Sequence, residues 1–319
     1  MSDGRIVPSD IAVARLRSLG EVGERWLNAL PQLVAELESV WRLRVEAPLP
    51  GASAAFVANA VMDDGRPAVL KVFLPVGAHG AASFHDELRA LLAGGGDPYV
   101  EVYEHDVERG AMVLERLGRS LHSLGLTVPQ QLDVIGQTLP RAWGRPIPAG
   151  LVHGGRKAAW LGEYIERTWA DLSEPCAGRT IEIALAYARS RTDAYDAASN
   201  VLVHGDAHST NVLQAEPDGS SGRFKLIDPE GLASEPAHDL AIILRELNRP
   251  LLDGDAVTLA SQWCRQLEAV TGVGARPIWE WSSIERVSTG LLLLQLGEED
   301  EGRTYLGAAD LLARADGPS

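Results

Sequence analysis

Residues 203–213 read "VHGDAHSTNVL", with two histidines, an aspartate and an asparagine set among apolar residues. Gly205 lets the backbone turn sharply just before Asp206. Asn211 follows Asp206 by five residues, and Asp228 follows Asn211 by seventeen. Asp228 ends the apolar run "FKLI", and Pro229 stops the strand there. Two carboxylates and an amide oxygen are hard ligands, better suited to Mg²⁺ than to zinc. Phosphoryl transfer uses such a set. One aspartate orients the attacking hydroxyl and accepts its proton, while an asparagine and a second aspartate hold magnesium on the nucleotide phosphates.

Two other readings compete at the same residues. His204, Asp206 and His208 alternate, so on a strand they would share one face. With Asp228 and His238 they could form a binuclear metallohydrolase. A non-catalytic nucleotide-binding module is the other rival, and it would be expected to lack Asp206, Asn211, Asp228 or Lys71; all four are present. His204 reads as scaffold, its ring N–H on a backbone carbonyl. His208 stays open between a place beside the substrate and a solvated loop position.

Working outward, the chain of 319 residues has 45% apolar residues, enough for one large domain or two lobes. Lys and Arg number 29 against 44 Asp and Glu, a net charge of −15. That balance argues against nucleic-acid or anionic-membrane partners; it suits a cationic small molecule or simply keeps the surface soluble. Two cysteines cannot build a disulfide framework or a structural zinc ribbon. The first ten residues carry no apolar signal region, and "LLLLQL" (291–296) is too short to span a bilayer. A cytoplasmic protein, monomer or homodimer, is expected.

Residues 9–41 read as helices, with Ser9 or Asp10 as first cap and Pro31 in the first turn of a third helix. Strands are predicted over 41–49, 53–62 and 67–74, with a hairpin turn at 63–66. A glycine-closed helix lies within 82–96, and two more strands within 98–106 and 110–117. Helices follow at 128–143, 157–171, 180–199, 236–248, 255–271, 278–296 and 302–315, with short β pieces around 211–214 and 224–228. The fold class is therefore α+β. A small antiparallel β lobe spans 1–117, and a larger, mainly helical lobe spans 118–319.

Lys71 lies inside the apolar strand "AVLKV", where an unpaired lysine is costly. The helix that follows carries an apolar stripe of Phe84, Leu88, Leu91 and Leu92. Glu87 sits at the edge of that stripe and Asp86 points away from it, so Glu87 is the expected partner of Lys71.

Together "LVHGDAHSTNVL", "LIDPEGLASEPAHDLA" and "ERVSTGLLLLQL" resemble the aminoglycoside phosphotransferase family, in particular its streptomycin 6-phosphotransferase and hydroxyurea phosphotransferase branch. The resemblance implies a protein-kinase-like bilobal fold, ATP or GTP as donor, and Mg²⁺. It implies Asp206 as catalytic base, Asn211 and Asp228 as magnesium ligands, and Asp239 as a brace for the catalytic loop. The backbone of "LERLG", at Glu115 and Leu117, would bond the adenine. The nucleotide loop departs from the glycine-rich kinase pattern: "LPGASAAFV" offers Gly51 and Ser53, and no G-x-x-x-x-G-K-[ST] is present. The implied acceptor is a small hydroxylated, amine- or guanidine-bearing antibiotic of the streptomycin type, with hydroxyurea or another small metabolite as the alternative. Glu298, Glu299 and Asp300, with His208, are candidate substrate contacts, carboxylates being suited to ammonium and guanidinium groups. A solvated helix–helix turn is the plainer reading of that acidic run. "HGGRK" (153–157) reads as a flexible, basic surface turn, and Trp160, Trp169, Trp279 and Trp281 as mostly core.

Overall fold

The computed structural model describes residues 6–75, 84–315 and 317–318. The first five residues and positions 82–83, where the first lobe helix was expected to begin, lie outside the described residues.

The chain opens with α1 (Asp10–Ser18) and α2 (Glu21–Trp41). Pro31 was expected to begin a third helix, but it lies inside α2. An internal proline costs about 3 kcal/mol. Leu30, Val34 and Leu37 are buried beside it, at one-face spacing, against the sheet. Each such burial contributes about 1.5–3 kcal/mol, so the stripe outweighs the missing hydrogen bond.

The sheet that α2 covers is antiparallel throughout. Its strands are β1 (Leu43–Pro48), β2 (Ala55–Met62), β3 (Pro67–Phe73), β4 (Val102–Asp106) and β5 (Ala111–Glu115), in the order β1-β2-β3-β5-β4. Strand alternation divides its faces. Ala68, Leu70 and Val72 point to α2, while Lys71 points the other way, toward α3 (Phe84–Gly94) and the second lobe.

Past Leu117 the chain becomes helical. Gly118 is held here because a Cβ would meet the Glu216 carbonyl at 2.4 Å. After α4 (Val128–Trp143), the strand β6 (Val152–His153) leads straight into α5 (Gly154–Asp171). Residues 153–157 are thus not a flexible turn. His153 caps the helix through Nδ1, which accepts from Arg156 N at 3.1 Å. Cβ atoms on Gly154 and Gly155 would strike Ser234 and Tyr195, so the glycines seat the helix start. Next come α6 (Gly178–Asp193), β7 (Val201–Val203), β8 (Val212–Gln214), β9 (Phe224–Leu226) and β10 (Leu232–Ser234). The chain ends in α7 (Pro236–Glu246), α8 (Asn248–Asp253), α9 (Ala256–Thr271), α10 (Ala275–Gln295) and α11 (Glu299–Leu312). Strands β6, β7 and β10 form a small sheet missed by periodicity, because two or three residues carry no period. One core runs from α3 and the inner side of β3 and β5 into the helical lobe, while a second lies between the sheet and α2. The architecture is the α+β, kinase-like, two-lobed one, and its inner core sets β3 and α3 against the β7–β9 segment, where Lys71 meets Asp228.

Candidate active site

Strand β7 ends at Val203, so His204, Asp206 and His208 lie on a loop and share no strand face. Gly205 takes φ +82°, and a Cβ there would press on Leu232 and Glu230. The buried Asp239 carboxylate, in the first turn of α7, accepts from His204 N (3.0 Å), Gly205 N (2.8 Å) and Trp143 Nε1 (2.9 Å). Three donors converging on one carboxylate at a helix N-terminus fix the loop. His204 Nε2 donates to the Ile227 carbonyl (2.7 Å) while Nδ1 accepts the Asp206 N–H (3.1 Å). Those two bonds assign the tautomer. Burial lowers the His204 pKa, and with both nitrogens engaged the ring has no lone pair for a metal. Among the described residues, no group of three or more His, Cys, Asp or Glu is arranged to hold a metal ion, which removes the geometric basis of the binuclear reading.

Asp206 faces the cleft with about a third of its side chain exposed (32%). Arg245 Nη2 meets its Oδ1 at 2.7 Å, and His208 Nε2 lies 3.3 Å from Oδ2. Burial opposes the charge of Asp206, but the His208 hydrogen bond and Arg245 outweigh it and hold the carboxyl well below the usual range. Asp206 is therefore ionised near neutral pH, a strong hydrogen-bond acceptor and a weak base. Arg245, from α7, also places Nη1 3.3 Å from Glu285 on α10, and Glu285 pairs with His238 Nε2 at 3.0 Å. His208 shares its Nδ1 with the Thr210 hydroxyl (2.7 Å). Burial lowers the His208 pKa, but Asp206 and Glu246 more than offset that and raise it.

Asn211 donates Nδ2 to the Asp206 carbonyl at 3.0 Å, which leaves its Oδ1 without a protein partner among the described residues. Asp228 follows β9 in the left-handed region, φ +57°, a conformation that aspartate tolerates better than bulkier residues. Its Oδ1 bonds Lys71 Nζ at 2.8 Å, and Lys71 Nζ also reaches Glu87 Oε1 at 2.6 Å. Burial opposes the lysine charge, but Asp228 and Glu87 outweigh it and raise the Lys71 pKa. Burial pushes the Glu87 carboxyl up despite the lysine beside it. With its second oxygen unpartnered among the described residues, Asp228 forms with Asn211 Oδ1 a hard-oxygen pair suited to Mg²⁺.

In the β1–β2 loop Gly51 takes φ +86°, and the Ser53 carbonyl accepts from Arg15. Leu117 N–H donates to no described residue, whereas Glu115 N bonds the Glu101 carbonyl and the Glu115 carboxylate bonds Lys225 at 2.5 Å. Val69, Leu213 and Ile227 are half-buried apolar neighbours of the inner core. Glu298, Glu299 and Asp300 are exposed where α11 begins. Glu299 takes Arg303 at 2.6 Å, and none of the three bonds Asp206.

The sequence reading missed Arg245 and Glu285, and also the Lys157–Glu230 pair (2.8 Å), whose glutamate lies two residues past Asp228. A signal for Glu285 was present. In "IWEWSSIERVS" the charges Glu280, Glu285 and Arg286 interrupt an otherwise apolar helix, and buried charges are there because something pairs with them.

A cleft with this lysine–glutamate pair on one side and this aspartate–asparagine–aspartate set on the other defines a small-molecule phosphotransferase of the kinase-like fold. Solved structures agree on the fold. Choline kinase LicA from Streptococcus pneumoniae matches with TM-score 0.61 at 19% identity, over 89% of this chain and 98% of that one. A thermostable mutant of aminoglycoside phosphotransferase APH(4)-Ia matches with TM-score 0.63 at 16% identity, over 89% and 99%. The family model for aminoglycoside/hydroxyurea antibiotic resistance kinases matches residues 40–282. A streptomycin 6-kinase of Streptomyces glaucescens is 32% identical over 244 residues, 75% of each chain. A hydroxyurea phosphotransferase of Kitasatospora aureofaciens is 30% identical over 238 residues, 73% of this chain and 66% of that one. The chain belongs to the aminoglycoside/hydroxyurea antibiotic resistance kinase family.

Proposed function

We propose that the chain moves the γ-phosphoryl group of ATP to a hydroxyl of a small cationic antibiotic of the streptomycin type. The observation that carries this reading is the ionised Asp206, held by Arg245 and His208 beside Asn211, in the same lobe as the Asp228 that meets Lys71 of the other lobe. The similarity to streptomycin 6-kinases supports the acceptor class. In this reading residues 1–117 bind the nucleotide and 118–319 the acceptor. The Ser53 loop covers the phosphates, and Leu117 N–H meets the adenine edge.

Lys71 exchanges its Asp228 contact for nucleotide phosphate oxygens while Glu87 keeps it in place. Asn211 Oδ1 and Asp228 would hold Mg²⁺, whose charge offsets that of the phosphates. Asp206 accepts a hydrogen bond from the acceptor hydroxyl and aligns its oxygen. As the new P–O bond forms and the bond to the β-phosphate oxygen breaks, the hydroxyl proton passes to Asp206, and ADP leaves. A weak base suits this step, because in a loose transition state the proton moves late.

The test is phosphate transfer from MgATP to streptomycin by the purified protein, followed by mass spectrometry. A product heavier by one phosphoryl group supports the reading. No transfer to streptomycin or to any other aminoglycoside overturns the acceptor. Hydroxyurea belongs in the same panel because a hydroxyurea phosphotransferase is among the relatives, and transfer to hydroxyurea alone would replace the first reading.

A further inference from the structure

The region matched by the family model begins at residue 40, so α1 lies outside it. Yet α1 is bonded directly to the loop between β1 and β2. The Ser9 hydroxyl donates to the Ala52 carbonyl, and the same oxygen accepts Ala12 N (3.1 Å) as the N-cap of α1. Arg15 Nη1 donates to the Ser53 carbonyl at 3.2 Å. The next carbonyl, Ala54, is taken by Leu74 N at 3.0 Å. Beneath these bonds Ala12 and Leu16, four residues apart, pack on Leu74, with Leu19, Trp26 and Leu27 at the border. Leu74 continues the α2-facing side of β3, so α1 sits on the outer side of the lobe.

The direction of these bonds has a consequence for the other side of the loop. In a trans peptide the C=O and the following N–H point opposite ways. With the Ala52 and Ser53 oxygens drawn outward to α1, the Ser53 and Ala54 N–H groups point away from α1. Neither donates to a protein group among the described residues. Two adjacent backbone donors on a loop of small residues suit phosphate oxygens. The loop offers phosphate no cation, since it contains only Pro50, Gly51, Ala52, Ser53 and Ala54, so its backbone donors carry most of any grip.

We propose that α1 is a strap that orients this loop, with Ser9 and Arg15 as positioning residues for the nucleotide. The proposal rests on the reading that the Gly51–Ala54 loop faces the nucleotide phosphates. The strap takes the place of the glycine-rich sequence that the loop lacks: external bonds hold a shape that its own residues do not dictate.

The experiment compares a Ser9→Ala/Arg15→Ala double variant with wild type. Affinity for a magnesium-bound, non-hydrolysable ATP analogue is measured by calorimetry, and kinetics are measured with the acceptor that the transfer assay identifies. Losing two hydrogen bonds should weaken the analogue roughly 3- to 30-fold. The KM for MgATP should rise alongside, while kcat at saturating ATP and the acceptor KM stay within about twofold. Ser9→Thr and Arg15→Lys keep a donor and should bind the analogue like wild type. Arg15→Ala alone, at a half-exposed position, serves if the double variant folds poorly. A double variant with a lower melting temperature but unchanged analogue affinity overturns the strap. Gly51→Val separates the two levels, because it strains the loop at φ +86° without touching α1. If Gly51→Val weakens the analogue and the double variant does not, the loop reading stands and the strap falls. If neither does, both fall.

Discussion

Two buried cations organise the cleft, and each sits between two carboxylates. Lys71 lies between Glu87 and Asp228, and Arg245 lies between Asp206 and Glu285. The difference is in what each can release. Asp228 is nearly half exposed (46%) and belongs to the other lobe, so Lys71 can trade it for phosphate oxygens. Arg245 divides its two Nη groups between Asp206 and a Glu285 that is almost fully buried (6% exposed), within a single lobe. An ammonium is a compact point charge that changes partners readily, whereas a guanidinium fork holds a fixed pair of directions. The first cluster is an exchangeable grip, and the second is a permanent frame around the proposed base.

The largest effect should come from breaking the frame's output. Asp206→Asn should cut kcat by roughly 10²–10⁴-fold, with ATP-analogue affinity retained. Near-wild-type turnover would place the base elsewhere. Arg245→Met should come next, because it removes the cation shared by the buried Glu285 and the partly exposed Asp206. A loss of about 3–5 kcal/mol in chemical denaturation follows from an uncompensated buried charge, and turnover should fall with it. Lys71→Met should cost less stability, about 1–3 kcal/mol, because Asp228 reaches solvent and Glu87 can take up a proton. Its main effect should be lost ATP affinity. Equal stability losses for Arg245→Met and Lys71→Met would erase the distinction between frame and grip.

The smallest effect is in pH dependence. Burial alone would raise the Glu285 carboxyl, but the His238 hydrogen bond, Lys157 and Arg245 hold it at about 2 against an ordinary 4.5. Its contribution to stability is therefore whole above about pH 4.5 and is lost as pH falls toward 2. Glu285→Gln should flatten the loss of stability across that window in denaturant titrations. An unchanged slope would mean that other carboxylates carry the acid sensitivity.

Much of the exchangeable cluster is legible in the sequence. Strand alternation puts Lys71 on the face away from Leu70 and Val72, and helical spacing puts Glu87, not Asp86, on the inward side of α3. Asp206, Asn211 and Asp228 announce themselves by spacing because loop and strand end are close in the chain. The frame is not legible in the same way. Arg245 and Asp206 are 39 residues apart, and Arg245 and Glu285 are 40 apart. Both charges lie on helices whose stripes show which face is buried but not what it is buried against. Pro31 misled for a related reason: local preference ends a helix there, and burial of Leu30, Val34 and Leu37 overrides it.

By itself, the sequence determined the alternation of β lobe and helical lobe, the Lys71–Glu87 pairing and the set of oxygens that faces the cleft. Each depends on a period of two, a period of 3.6, or a turn within a few residues. Only the tertiary structure decided that Arg245 clamps Asp206, that both nitrogens of His204 are consumed by backbone, and that α1 reaches the Ala52 and Ser53 carbonyls. Those contacts depend on how whole elements are rotated and docked, which is set by the sum of packing over the core rather than by any short run of residues.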